Sequence, residues 1–211
     1  MGQGRFITFE GIDGCGKTTQ LRILAEALRT AGREVVETVE PGGTETGRQI
    51  RKILLDPANT AIHPRTELLL YFASRAQNVE EVIRPAIHAG KLVLCDRFTD
   101  STLAYQGAGR GLDSETVHDL DRVACRGLKP DRTVLIDIDI ETSMARAKKR
   151  NQRTGPDESR IDAEGAAFHT SVRQRYLELA ADESGRFVVI DGRAPVETVA
   201  ERILEALAAD V

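Results

Sequence analysis

Residues 10–18, Glu-Gly-Ile-Asp-Gly-Cys-Gly-Lys-Thr, fill the pattern G-x-x-x-x-G-K-[ST] without a gap. No other stretch of the chain restricts its fold so tightly. Glycines at this spacing let the backbone curl until successive N–H groups point at one cluster of phosphate oxygens. A helix must follow, because its unpaired N–H groups and the positive end of its dipole complete the anion site. A strand must precede, and Arg5-Phe6-Ile7-Thr8-Phe9 is a short β-branched and aromatic run. After the loop, Leu21, Leu24, Ala25 and Leu28 recur at helical spacing. Lys17 then supplies a mobile point charge for the β- and γ-phosphates, and the Thr18 hydroxyl suits Mg²⁺. Chance would produce the pattern in roughly one chain of this length in a hundred. The surrounding order of strand, loop and helix makes nucleotide binding the reading.

The rest of the chain repeats that alternation. Strand-like runs stand at Phe6–Glu10, Glu34–Val39, Leu92–Asp96, Thr133–Ile138 and Phe187–Asp191. Most are continuously apolar, as expected of strands covered on both faces. Helical stretches separate them. The clearest comes last, with Val196, Val199, Ala200, Ile203, Leu204 and Leu207 on one stripe after Pro195. Alternation of this kind predicts a parallel sheet with flanking helices and ligands beyond the carboxyl ends of the strands. At 211 residues the chain is sized for one α/β domain, 1–211.

Composition removes several classes of function. Twenty-nine basic against 33 acidic residues leave a net charge of −4, which argues against a general nucleic-acid partner. No stretch approaches 18 consecutive apolar residues and no basic-then-apolar leader opens the chain, so no membrane partner is expected. Cys15, Cys95 and Cys125 form neither a disulfide framework nor a zinc pattern, and a reducing cytoplasm is the expected location. The four histidines show no metal-ligand spacing.

Five further stretches carry chemistry. Residues 40–47, Glu-Pro-Gly-Gly-Thr-Glu-Thr-Gly, form a turn-rich loop after the second strand; a plain connector is the alternative. A long helix is expected over 65–89. Phe72 and Arg75 share one of its faces, Phe72 on the core stripe and Arg75 beside it. The third strand ends in Asp96-Arg97, an acid where a phosphate-loop protein orders Mg²⁺ and a base where phosphates must lie. Residues 98–111 hold more hydrogen-bonding side chains and glycines than a connector needs. Residues 146–160 hold four arginines and two lysines around Gly155-Pro156. Empty, they read as a solvated mobile loop; in action, as a basic lid at about 148–162 that closes arginines over phosphates.

Together these motifs resemble thymidylate kinases along essentially the whole chain. The resemblance rests on the phosphate loop, Glu40-Pro41-Gly42-Gly43-Thr44, Phe72-Ala73-Ser74-Arg75, Asp96-Arg97-Phe98, Tyr105-Gln106-Gly107 and a basic segment ending Arg160-Ile161-Asp162. It implies a nucleoside-monophosphate-kinase-like α/β fold, a five-stranded parallel sheet with helices on both faces. It implies transfer of the ATP γ-phosphoryl group to dTMP, with Mg²⁺ and a homodimer. ATP would lie on Gly11, Ile12, Asp13, Gly14, Cys15, Gly16, Lys17, Thr18 and Thr19. The resemblance places dTMP on Asp13, Pro41, Phe72, Arg75, Arg97, Thr102, Tyr105 and Gln106, with Phe72 stacked on thymine and Arg75 donating to a base carbonyl. Mg²⁺ would meet Thr18 and Asp96, directly or through water. Lys17, Arg97, Asp13 and the lid residues Arg153 and Arg160 are the implied catalytic groups. With no arginine in Ile12-Asp13-Gly14-Cys15, the chain looks like the bacterial type that keeps its catalytic arginine in the lid. The family also carries a cis peptide before the proline matching Pro41, and its dimer interface corresponds to helix 65–89 and a helix around 99–107. Cys15 stands where a smaller residue is commoner, either as a space-filling side chain or as a thiol activated at a helix N-terminus. Two rival activities are a deoxynucleoside kinase, with Glu10 or Asp13 as base, and a nucleotide switch acting on a protein.

Overall fold

The computed structural model describes residues 4–154 and 160–211. Five parallel strands form one sheet: β1 (Arg5–Glu10), β2 (Val35–Val39), β3 (Leu92–Asp96), β4 (Arg132–Asp137) and β5 (Phe187–Asp191), in the order β2-β3-β1-β4-β5. Every residue of β3, and of β1 after Arg5, is buried. Successive side chains point to opposite faces, so helices must cover both. The edge strands β2 and β5 are partly open, with Val189 half exposed. The strands lie within one residue of their expected bounds.

Helix α1 (Lys17–Thr30) leaves the phosphate loop, and α2 (Glu45–Leu55) starts inside the stretch expected to be loop. Thr44 explains the earlier start, because its side chain accepts from the Gly47 N–H at 2.9 Å and caps α2. The long helix expected over 65–89 is present as α3 (Pro64–Asn78), a π turn at Val79–Ile83 and α4 (Arg84–His88). His63 caps it and Pro64 occupies its first turn. The Gly-rich segment after β3 is also helical: α5 (Thr99–Thr102) runs into a π segment at Leu103–Gly109. Helices α6 (Ser114–Cys125), α7 (Ile140–Thr154), α8 (Ala166–Asp182) and α9 (Val196–Leu207) complete the chain.

Residues 146–154 were expected to belong to a mobile loop and instead extend α7. Ala, Arg, Lys and Gln are good helix formers, so local propensity carries the helix up to Gly155. Gly155-Pro156 and the rest of 155–159 lie outside the described residues.

Register brings the functional ends together. Phe9 of β1 and Val39 of β2 both lie opposite Asp96 of β3. The Glu40 N–H donates to Asp96 O at 2.9 Å and the Arg97 N–H to Phe9 O at 3.0 Å. Three segments distant in sequence therefore leave the sheet side by side at its carboxyl edge.

Candidate active site

The phosphate loop needs its glycines for conformation and for space. Gly11, Gly14 and Gly16 have φ of 134°, 77° and 102°, a region that strains any residue with a Cβ. A Cβ on Gly14 would also lie 2.7 Å from Ser143 O. Lys17 is buried and folded back over the loop, its Nζ donating at 3.0 Å to both Gly11 O and Ile12 O. Cys15 Sγ lies 3.6 Å from the same Nζ, and the thiol is only 3% exposed. That environment suits a small residue filling a tight loop.

Arg97 is the hub of the site. It adopts φ 73°, uncommon for a residue with a side chain, and this turn aims its guanidinium back across the loop. Nη2 donates to Asp13 Oδ1 at 2.8 Å and to the Tyr105 hydroxyl at 3.1 Å; Nη1 donates to Gly11 O, Ser101 Oγ and the Tyr176 hydroxyl at 3.0–3.2 Å. The Tyr105 hydroxyl donates to Asp13 Oδ2 at 2.7 Å, and the guanidinium lies 4.7 Å from the Tyr105 ring centroid. An arginine held over an aromatic ring and fixed by several acceptors keeps one orientation, as recognition of a phosphate requires.

Glu10 fixes this turn from beneath. It is wholly buried, and its carboxylate accepts from the Phe98 N–H at 2.7 Å, Ser101 Oγ at 2.6 Å and the Tyr176 hydroxyl at 2.8 Å. Burial, with Asp100 nearby, raises its pKa from 4.5 to about 7 despite Arg97. The raised value means that the folded state binds the proton more tightly than the unfolded chain. Stability from this group is therefore full below pH 4.5 and lost as pH rises through 7. Glu10→Gln, neutral at every pH, should gain up to about 3 kcal/mol relative to the parent between pH 4.5 and 8, measured by urea unfolding. A difference that does not change with pH would contradict the buried-carboxylate account. Glu10 is engaged by the turn that shapes Arg97.

A second cluster sits beside the first. Arg75, 1% exposed, donates from Nε to Glu40 Oε2 at 2.6 Å, from Nη2 to Thr102 Oγ1 at 2.8 Å and from Nη1 to Thr99 Oγ1 at 3.3 Å. Its guanidinium lies 4.8 Å from the Phe72 ring and 5.0 Å from the Phe98 ring. Asn78 Nδ2 donates to the other Glu40 oxygen at 3.1 Å. Burial pushes the Glu40 pKa up while Arg75 pulls against it. Phe72 is itself buried, as its place on the core stripe predicts. The Glu40–Pro41 peptide is cis, as the resemblance implied. The loop after it is tied to α3 by the Gly42 N–H donating to Ser74 Oγ at 3.1 Å, and Pro41 O accepts from Arg51. Helix α5 joins the two clusters, with Ser101 toward Arg97 and Thr99 and Thr102 toward Arg75.

The metal expectation meets a consistent donor set. The Thr18 hydroxyl donates to Asp96 Oδ2, so two hard oxygen groups touch beside the phosphate loop. Among the described residues no group of three or more His, Cys, Asp or Glu could hold a metal. Nucleotide oxygens and water would have to complete any Mg²⁺ shell, as is usual for this ion.

The structure thus gathers Asp13, Lys17, Arg97 and Tyr105 at one point, Thr18 with Asp96 at another, and Phe72, Arg75 and Thr102 at a third. Gln106 and Arg160 meet elsewhere, on Glu67. The side chain of Arg153 lies outside the described residues. Sequence reasoning missed Tyr176 and Glu67 as parts of the site, and gave Glu40 and Ser101 no role of their own within the stretches it singled out. Glu10 carried one legible signal, a carboxylate at the end of a wholly buried strand.

A family model described as thymidylate kinase matches residues 9–203. A thymidylate kinase of Trichlorobacter lovleyi is 52% identical over 203 residues, 96% of each chain. One of Pelobacter propionicus is 54% identical over 202 residues, 95% of this chain and 92% of its own. The crystal structure of thymidylate kinase from Ehrlichia chaffeensis superposes with a TM-score of 0.80 at 32% identity, over 98% of this chain and all of that one.

Proposed function

The chain belongs to the thymidylate kinase family, whose members phosphorylate dTMP with ATP, and we propose that the groups just described carry out that transfer. The observation that carries this reading is the Arg97 cluster, a fixed guanidinium between the phosphate loop and Asp13. Residues Gly11 to Thr19 hold the ATP phosphates, with loop N–H groups and Lys17 drawing charge from the β- and γ-oxygens. Arg97 grips the dTMP phosphate and orients one of its oxygens in line with the γ-phosphorus. Phe72 stacks on the thymine, Arg75 donates to a base carbonyl, and Thr102 and Gln106 add polar contacts. Tyr105 and Asp13 meet the sugar. Thr18 and Asp96 would hold Mg²⁺, which neutralises phosphate charge when bound. No general base is needed, because a phosphate monoester already carries about 1.5 to 2 negative charges near neutral pH.

The test is ADP release with ATP and Mg²⁺, offering dTMP, dUMP, dCMP, dGMP, thymidine or no acceptor. Turnover with dTMP, weaker with dUMP, is the expected result. Turnover with thymidine would indicate a nucleoside kinase, and release indifferent to acceptor a bare ATPase.

Location and assembly belong to the same proposal. No helix of the described residues is long and apolar enough to cross a membrane, and the three cysteines are buried and unpaired, which supports a cytoplasmic protein. A homodimer would use the outer face of α3 and α6, where Leu69 and Val123 are 55% and 76% exposed. Residues 100–107 are instead buried within their own chain. Sedimentation at micromolar concentration should give twice the mass of the chain, and Val123→Glu should halve it; a monomer in the parent would end the dimer reading.

A further inference from the structure

Glu67, in the first turn of α3, has no part in the transfer chemistry above, yet it is 1% exposed and densely paired. Gln106 Nε2 donates to its Oε1 at 2.9 Å and Arg110 Nε to the same oxygen at 3.2 Å; Arg160 Nη2 donates to Oε2 at 2.6 Å. Burial works against its ionisation, but Gln106, Arg160 and Arg110 together hold its pKa below the ordinary glutamate value. Arg110 is paired in turn with Glu164 at 2.6 Å.

A buried ion-pair network can be purely structural. Two features of this one point further. Gln106 follows Tyr105 in the π segment, so one step of backbone separates the network from the Arg97–Asp13 cluster. Arg160 is where the described chain resumes after the basic stretch, and its other partners are backbone: its side chain donates to Leu54 O and its N–H to Leu55 O at 3.2 Å. Among the described residues every polar partner of Arg160 is thus a group of α2 or α3, none of the phosphate loop.

We propose that Glu67 is a positioning residue: it anchors Arg160, fixing where the basic segment re-enters the fold, and holds Gln106 in place for the acceptor. Arg160 accordingly acts as an anchor for the segment rather than as a group on the transferred phosphate. The inference rests on reading Gln106 as a dTMP contact and deepens that reading. It predicts that Arg160 and Gln106, which share no contact of their own, are energetically coupled through Glu67.

The experiment measures kcat and KM for dTMP and for ATP in the full chain, comparing the parent with Arg160→Gln, Gln106→Leu and the double variant, alongside Glu67→Gln. Each single variant should raise KM for dTMP about tenfold and leave KM for ATP and kcat within about threefold. The double variant should be no worse than the worse single. If Glu67→Gln does not fold, the Arg160–Gln106 cycle still reads the coupling. Additive effects, or lower melting temperatures with an unchanged KM for dTMP, would make the network structural only. A kcat loss of a hundredfold or more in Arg160→Gln would return Arg160 to the transfer step. A parent inactive on dTMP would overturn the family reaction instead.

Discussion

Arg97→Met should lower kcat/KM for dTMP by about three orders of magnitude, roughly 4 kcal/mol of transition-state stabilisation. The guanidinium holds one orientation through five hydrogen bonds and a tyrosine ring, so its electrostatic effect requires no reorganisation at the moment of transfer. Methionine keeps the stem and removes the charge. Arg97→Lys should recover little, since a point charge cannot reproduce the planar fork that meets two phosphate oxygens. Binding of ATP should change far less, because the loop N–H groups and Lys17 stay in place. A loss below tenfold in Arg97→Met would remove Arg97 from the transfer step.

The second large effect is on stability. Arg75→Met should cost about 3–5 kcal/mol, because it removes the counter-charge of Glu40 where both side chains are 2% exposed. For a chain of this size that is a fall of about 10 °C in Tm. Pairing the change with Glu40→Gln should recover much of the loss, since removing both partners leaves no orphaned charge. The double variant should nevertheless bind dTMP poorly, because the group proposed to donate to the base is gone. A single variant that melts within about 2 °C of the parent would show that the pair does not hold the pocket together.

What could be read from the residues, and what could not, divides along sequence distance. The phosphate loop and Asp96-Arg97 were legible because their chemistry is written in neighbouring residues attached to strands. Apolar runs, most of them continuous, placed all five strands. The supports of the site were hidden, because Glu10 meets Ser101 and Tyr176 across 91 and 166 positions, and only the strand order brings them together. Glu40 reads as a polar start to a turn until Arg75 is seen against it. Gly109 lies inside a π segment where a Cβ would sit 2.6 Å from the Phe168 ring. There a close helix approach, rather than a turn, demands glycine. The resemblance implies a catalytic role for Arg160; its hydrogen bonds to Leu54 and Glu67 depend on the packing of three separate segments and could not be read from the residues.

The central claim is that one surface, from the phosphate loop through Arg97 to Phe72 and Arg75, holds donor and acceptor together. A crystal structure with dTMP and a non-hydrolysable ATP analogue tests it most directly. The account predicts the dTMP phosphate within hydrogen-bond distance of the Arg97 guanidinium and thymine stacked on Phe72 with a carbonyl on Arg75. A dTMP phosphate bound away from Arg97, or a base that leaves Phe72 and Arg75 untouched, would contradict it.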